Sequence, residues 1–301
     1  MSASPVLLVH GAWTEGWAWG FVRARLAERG VWSAVVDMPS AGPAPSALRD
    51  DVAAVRAALD ALDGPVVLVA HADAGVAVTE ASAGHPAVGH LVYVCAAMPA
   101  EGESMTSLMS SDPVPTRLGE AIRVRGDGRS WLEPAGARDL LFDDVPAETS
   151  GSMVAALGTH RLSVFGEAPA AIGWREHPST YVVATEDRVL SPDLQRRMAR
   201  HATRVVELRS GHFPLLSCAG GVERTLAGPG AVVHIPGGRE HTVRNESGAE
   251  AAAYVTFTPG APMEGFIRAA ATLGDAPMEE VLAVAARHGV ALTRPVPAPP
   301  G

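Results

Sequence analysis

The residues able to do chemistry gather around one stretch, Val66-Val67-Leu68-Val69-Ala70-His71-Ala72-Asp73-Ala74-Gly75. Its apolar, β-branched start reads as a strand buried on both faces of a parallel sheet. Small residues then mark a sharp turn, and a helix can begin at Gly75. A strand, tight turn and helix in this order lift one side chain above the sheet edge as a nucleophile, between two small neighbours. On that spacing Ala70 and Ala74 are the small positions and Ala72 stands where the nucleophile would be. A methyl group cannot attack a carbonyl. His71 and Asp73 flank the gap. Taking Asp73 as the nucleophile would slip the register by one and force His71 into a position that sterically requires a small residue.

The rest of the chain narrows the chemistry. All 24 basic residues are arginine, which excludes Schiff-base, pyridoxal phosphate and P-loop lysine chemistry. A net charge of −9 argues against binding nucleic acid or acidic membrane surfaces. Cys95 and Cys218 are too few for a disulfide framework, and a reducing compartment fits. No apolar run reaches membrane-span length and no signal-peptide pattern opens the chain. These features predict a soluble cytoplasmic protein.

Strands alternate with helices over the first two-thirds of the chain. Val6–Val9 ends in His10-Gly11-Ala12-Trp13, and residues 17–29 have helical spacing closing at Gly30. Ser33–Val36 is a strand, and a helix is predicted from about Ser46, its N-cap, to Leu62. After the central stretch come a strand at 91–95, an interruption over about 100–178, then a strand at 181–184, a helix near 192–201 and a strand at 204–208. This alternation predicts a parallel sheet with crossover helices. Within the interruption, 101–127 reads as loop and two helices are expected near 136–143 and 147–161. An insertion at this place is where a substrate-binding cap would sit.

With these motifs in order, residues 5–217 resemble the α/β-hydrolase superfamily, within it the small esterases related to plant methylesterases and hydroxynitrile lyases. Thr185-Glu186-Asp187-Arg188, with Ser191-Pro192-Asp193-Leu194-Gln195, matches the strand-end motif of that group's triad acid, which implies Asp187 as the acid. Ser210-Gly211-His212-Phe213 matches its histidine loop, which implies His212 as the base. Asp187 would hold the tautomer of His212, and the backbone N–H groups of Ala12 and Asp73 would form the oxyanion hole. Trp13 and His71 are the expected substrate contacts.

Beyond about 218 the character changes to short strands punctuated by Gly and Pro. Gly230, Pro236, Gly238, His241 and Asn245 have the spacing of the second conserved motif of the cupin superfamily, and the likeness runs over roughly 222–295. The first cupin motif, with its His-x-His, is missing, and His241 even with His234 falls short of a metal site. Helices near 262–273 and 277–288 and a Pro-rich tail close the chain. The expected organisation is therefore an α/β-hydrolase-like domain at 1–217 and a metal-free half barrel plus helices at 218–301. Its unpaired edges predict a homodimer through residues 222–260.

Three functions fit these residues. One is an ester or thioester hydrolase type acting on a small apolar molecule, with its serine replaced by Ala72, whether naturally or to inactivate it. Restoring serine would then confer some esterase activity. Another is a non-hydrolytic lyase, cyclase or cofactor-free oxygenase using His212, Asp187 and the oxyanion hole, with Asp73 as a second acid/base group. The third is a pseudoenzyme that binds without chemistry. No cofactor is expected in any of them.

Overall fold

The computed structural model describes residues 4–145, 147–217, 268–269, 271 and 278–287. The chain divides into two compact units, Met1–Arg224 and Thr225–Gly301. In the second, the helix Met278–Arg287 is described and buries Val284 and Ala285. The cupin-like segment, with His234 and His241, and the homodimer contact expected through it lie outside the described residues. Among the described residues, no helix is long and apolar enough to cross a membrane.

The first unit is built on a six-stranded sheet. Its elements begin with β1 (Val6–Val9), α1 (Gly20–Glu28), β2 (Ser33–Val36), α2 (Leu48–Asp60), β3 (Val66–His71), α3 (Ala74–Ser82) and β4 (Val88–Val94). After the cap follow β8 (Ser179–Ala184), α8 (Pro192–Ala199) and β9 (Arg204–Leu208). The strand order is β2-β1-β3-β4-β8-β9, with every neighbouring pair parallel. All four residues of β1 are buried and β3 is nearly so, as strands covered on both faces must be. The outermost strand β9 is largely exposed. Burial thus peaks at β1, β3 and β8, and the chemistry-bearing loops leave the carboxyl ends of the sheet strands.

Two local features refine the sequence reading. Ser46 does not cap α2: its hydroxyl donates to Pro39 O, the helix starts at Leu48, and the Asp50 carboxylate accepts the Ala47 N–H at 2.8 Å. An aspartate within the first turn does the work expected of a serine before it. Within α3 nearly every residue is buried and small. Gly75 is required there because a Cβ would stand 1.9 Å from Ala97 O.

The interruption at 101–178 holds more structure than its Ser, Pro and Gly content suggested. The segment read as loop carries α4 (Met105–Ser110), α5 (Leu118–Ala121) and β5 (Ile122–Val124). Next come β6 (Arg129–Leu132), α6 (Pro134–Leu141), α7 (Ala147–Ala155) and β7 (His160–Arg161). Strands β5, β6 and β7 form a small antiparallel sheet. The helix expected over 147–161 stops at Ala155, so His160 lies on a strand. Elements of three or four residues leave too little periodicity to be seen in sequence.

Candidate active site

Among the described residues, three other than glycine have positive φ: Trp13 (59°), Ala72 (53°) and Cys95 (36°). They follow β1, β3 and β4, at the same edge of the sheet. Such a backbone costs of order 1–3 kcal/mol at each residue and persists only where the surroundings impose it. Asp73, by contrast, has helical angles of −66° and −24°. The strained corner is therefore at Ala72, the register in which Asp73 follows the nucleophile position.

His212 stands beside this corner. Its Nδ1 lies 2.8 Å from Asp187 Oδ2, and both side chains are buried. Asp187 is held from every side. Oδ1 accepts the N–H groups of Val189 (2.7 Å) and Leu190 (3.1 Å), and Oδ2 also accepts Gln195 Nε2 at 2.8 Å. Gln195, itself buried on α8, accepts the Ala184 N–H through its carbonyl and donates to Leu190 O. With Asp187 accepting at Nδ1, His212 carries its proton there and presents Nε2 as the basic atom.

The histidine loop is anchored from below and beside. His71 Nε2 lies 2.9 Å from His212 O, and the Cys95 thiol donates to the same carbonyl at 3.3 Å. His71 is completely buried and its pKa is lowered by burial to about 3, so it is a neutral support beneath the loop. Burial raises the Cys95 thiol well above its ordinary value. His71, Cys95 and His212 offer ligand atoms within 4.8 Å of one another. Their meeting point is the His212 carbonyl, and a buried neutral thiol is a poor metal ligand. At Gly211 the N–H donates to Asp144 Oδ2 at 2.7 Å. A Cβ there would fall 2.5 Å from Asp143 Oδ1, so only glycine fits that cradle.

On the other side of Ala72 the sequence reading needed the N–H groups of Ala12 and Asp73 free for an oxyanion. Instead the Ala12 N–H donates to Asp73 Oδ1 at 2.6 Å, and the N–H of Asp73 serves its own carboxyl. The Asp73 side chain thus occupies the seat of the expected oxyanion. Burial raises its pKa to about 6 against the opposing pull of Ala12 N–H and the nearby His10. His10, lowered by burial, shapes the first loop: Nδ1 lies 3.0 Å from Gly11 O and Nε2 accepts the Met38 N–H.

Sequence reasoning missed His160. This residue is buried on β7, with Nε2 3.4 Å from Asp73 Oδ2 and no hydrogen bond at either ring nitrogen. Its pKa is lowered by burial to about 3. Trp13 joins it to the sheet: the indole N–H donates to Ser130 Oγ, which donates to His160 O. The Trp13 and Phe165 rings meet the imidazole at centroid distances of 6.0 and 5.2 Å. No local motif announces a histidine on a two-residue strand, although its place in the cap, among apolar residues, was a usable signal.

Ala72, Asp73, His212 and Trp13 line one pocket with Ala12, His71 and Phe213, roofed by Met105, Leu118, Leu141, Phe165 and Val189. Its free volume is about 20 Å³, room for about one water molecule. The roof is wholly apolar.

Comparison with known proteins agrees with this fold. A model described as the alpha/beta hydrolase family matches residues 6–225. Over 229 residues the chain is 28% identical to the alpha/beta hydrolase nvfD of Aspergillus novofumigatus, covering 70% of this chain and 90% of that protein. A pyrethroid hydrolase from Sphingobium faniae JZ-2 superposes with a TM-score of 0.64 at 22% identity, covering 73% of this chain and 94% of the other. Tomato methylketone synthase I, solved with 2-tridecanone, gives 0.63 at 18% identity, covering 74% and 95%. With the matched residues spanning the whole sheet, the elbow and the histidine loop, the chain belongs to the alpha/beta hydrolase family.

Proposed function

We propose that this chain is a non-hydrolytic enzyme on the hydrolase fold, in which His212, oriented by Asp187, is a general base toward a small apolar substrate. The observation that carries the reading is the environment of Ala72. A buried His–Asp pair whose carboxylate is fully hydrogen-bonded shares its pocket with a methyl group, and the Asp73 carboxyl fills the seat that acyl transfer needs for its oxyanion. Covalent catalysis lacks both its nucleophile and its empty donor pair. Proton abstraction needs neither. The apolar roof suits a substrate with little charge, which enters once side chains such as Met105 and Phe165 swing aside. No cofactor is required.

A second reading, an ester hydrolase type whose serine is replaced by alanine, has its own support. Ala72 keeps φ at 53°, a conformation useful to an elbow nucleophile and of no use to a methyl group. Assays on a panel of p-nitrophenyl acyl esters separate the two. The chain itself should be inert, and Ala72→Ser should stay feeble while Asp73 holds the donor pair. A folded Ala72→Ser protein that turns over esters at rates ordinary for esterases would overturn the first reading in favour of the second.

A further inference from the structure

The Asp73–His160 contact is unexplained by anything above. A buried imidazole without a hydrogen bond is a costly arrangement, because its polar nitrogens lose water and gain no partner. His160 is nevertheless held in place by the Trp13–Ser130 chain and by two aromatic rings, with Nε2 3.4 Å from Asp73 Oδ2. The Asp73 carboxyl borders the same pocket as His212 and the Ala72 methyl. The groups that face Asp73 are His10 from the β1 loop, His212 from the histidine loop and His160 from the cap, with the buried Asp51 of α2 also felt electrostatically.

We propose that Asp73, positioned by His160, is the acid that complements His212, and that the substrates are apolar carbonyl compounds bearing a C–H next to the carbonyl. This rests on the reading of His212 as base. His212 Nε2 removes the proton from that carbon, and the C–H electron pair becomes the C=C bond of an enol. The carbonyl π pair takes the proton from Asp73, leaving Asp73 as carboxylate and His212 as imidazolium. His212 then returns its proton to that carbon while the enol O–H proton goes back to Asp73, which restores both groups without an external reagent. A protonated carboxyl seated on the Ala12 N–H can donate where a hydrolase would supply backbone N–H groups. Ala72 leaves the space between acid and base open. His160 touches Asp73, so its role is to position the acid and tune it.

The test uses the full chain in D2O with 2-undecanone as probe, following deuterium uptake next to the carbonyl by NMR. Wild-type protein should exchange these protons, and His212→Ala should lose at least about a hundredfold, as for loss of a general base. The wild-type rate should fall as pH rises through about 6, where Asp73 loses its proton. Asp73→Asn should be about tenfold slower and lack that fall. His160→Phe should keep the fall with its midpoint moved upward, a change that a merely structural histidine would not produce. If Asp73→Asn exchanges with wild-type rate and pH profile while His212→Ala is inactive, the pair is overturned and the base reading stands. Absence of exchange by wild-type protein overturns the carbonyl assignment, with the ester panel still judging the base reading. Carboxyl 13C NMR adds a measurement independent of turnover. A midpoint for Asp73 near 6 that moves on His160→Phe supports the pair, and an ordinary carboxylate midpoint indifferent to His160 overturns it.

Discussion

The two sides of the pocket bury the same kinds of residue in opposite ways. Asp187 accepts four hydrogen bonds, from Val189, Leu190, Gln195 and His212, and His212 is fixed at both its ring and its carbonyl. Among the described residues, Asp73 has one hydrogen-bond partner outside itself, Ala12 N–H, and the His160 ring makes no hydrogen bond. The Asp187 side chain is fully buried and that of Asp73 about nine-tenths so, and the two differ more in the number of donors around them than in burial. The Asp187 side is a finished orienting network. The Asp73 side is left short of partners, which keeps a proton within reach.

The largest effect should come from damaging the finished side. Gln195→Leu keeps the volume but leaves Asp187 Oδ2 short of a donor and strands Ala184 N–H and Leu190 O. A loss of about 2–4 kcal/mol is expected for orphaned groups in a buried network, visible in chemical denaturation. A loss under about 0.5 kcal/mol would show that the network is not what holds this side.

Next is the pH dependence of stability. Asp73 has a folded-state pKa of about 6, above the ordinary aspartate value, so the folded protein binds the extra proton. Its contribution is therefore complete at low pH and is lost as pH rises toward 6, by up to about 3 kcal/mol through linkage. Asp51, also raised to about 6, acts in the same direction. His71 and His160, each lowered to about 3, act oppositely: their neutral folded forms lose stability as pH falls below the ordinary histidine value. Wild-type stability should thus vary little between pH 4 and 6. The difference between Asp73→Asn and wild type isolates one member, and Asn should gain on wild type across that window. Parallel curves would mean that Asp73 titrates normally.

A smaller effect tests the occupied donor pair. Adding Asp73→Ala to Ala72→Ser frees the N–H groups of residues 12 and 73, and esterase activity should rise about tenfold over Ala72→Ser alone, equivalent to about 1.4 kcal/mol of barrier. An equal or lower rate would show that the carboxyl is no obstacle to an oxyanion. Smallest of all, His160→Phe removes no hydrogen bond made by the ring and replaces two orphaned nitrogens with apolar surface. At neutral pH it should be neutral or about 1 kcal/mol stabilising, against the clear loss at Gln195. Destabilisation by more than about 2 kcal/mol would mean that the imidazole is an integral structural part, and the contrast between the two sides would fail.

Much of this could be read in the sequence. Continuous apolar runs located β1 and β3 because strands covered on both faces must be apolar throughout. Asp187 and His212 were legible through motifs that sit at strand ends, where the backbone needs particular small residues such as Gly211. The cap was less legible. Its strands are two to four residues long and are defined by pairing with one another, a property that no single segment carries. Ser46 looked like a cap and was not one, because hydroxyl and carboxylate compete for the same few helix-end groups and Asp50 was better placed.

The sequence by itself determined that a parallel sheet would carry a sharp corner at Ala72, that no lysine chemistry could occur, and that a methyl group would stand at that corner. These are matters of residue type and local spacing. Only the tertiary structure decided that Asp73 turns back onto the Ala12 N–H and that His160, 87 residues further along by its number, arrives beside it. Both depend on where separate segments meet in three dimensions. Whether a buried carboxyl keeps or gives up its proton is set by the donors that such meetings bring, and spacing along the chain does not encode them.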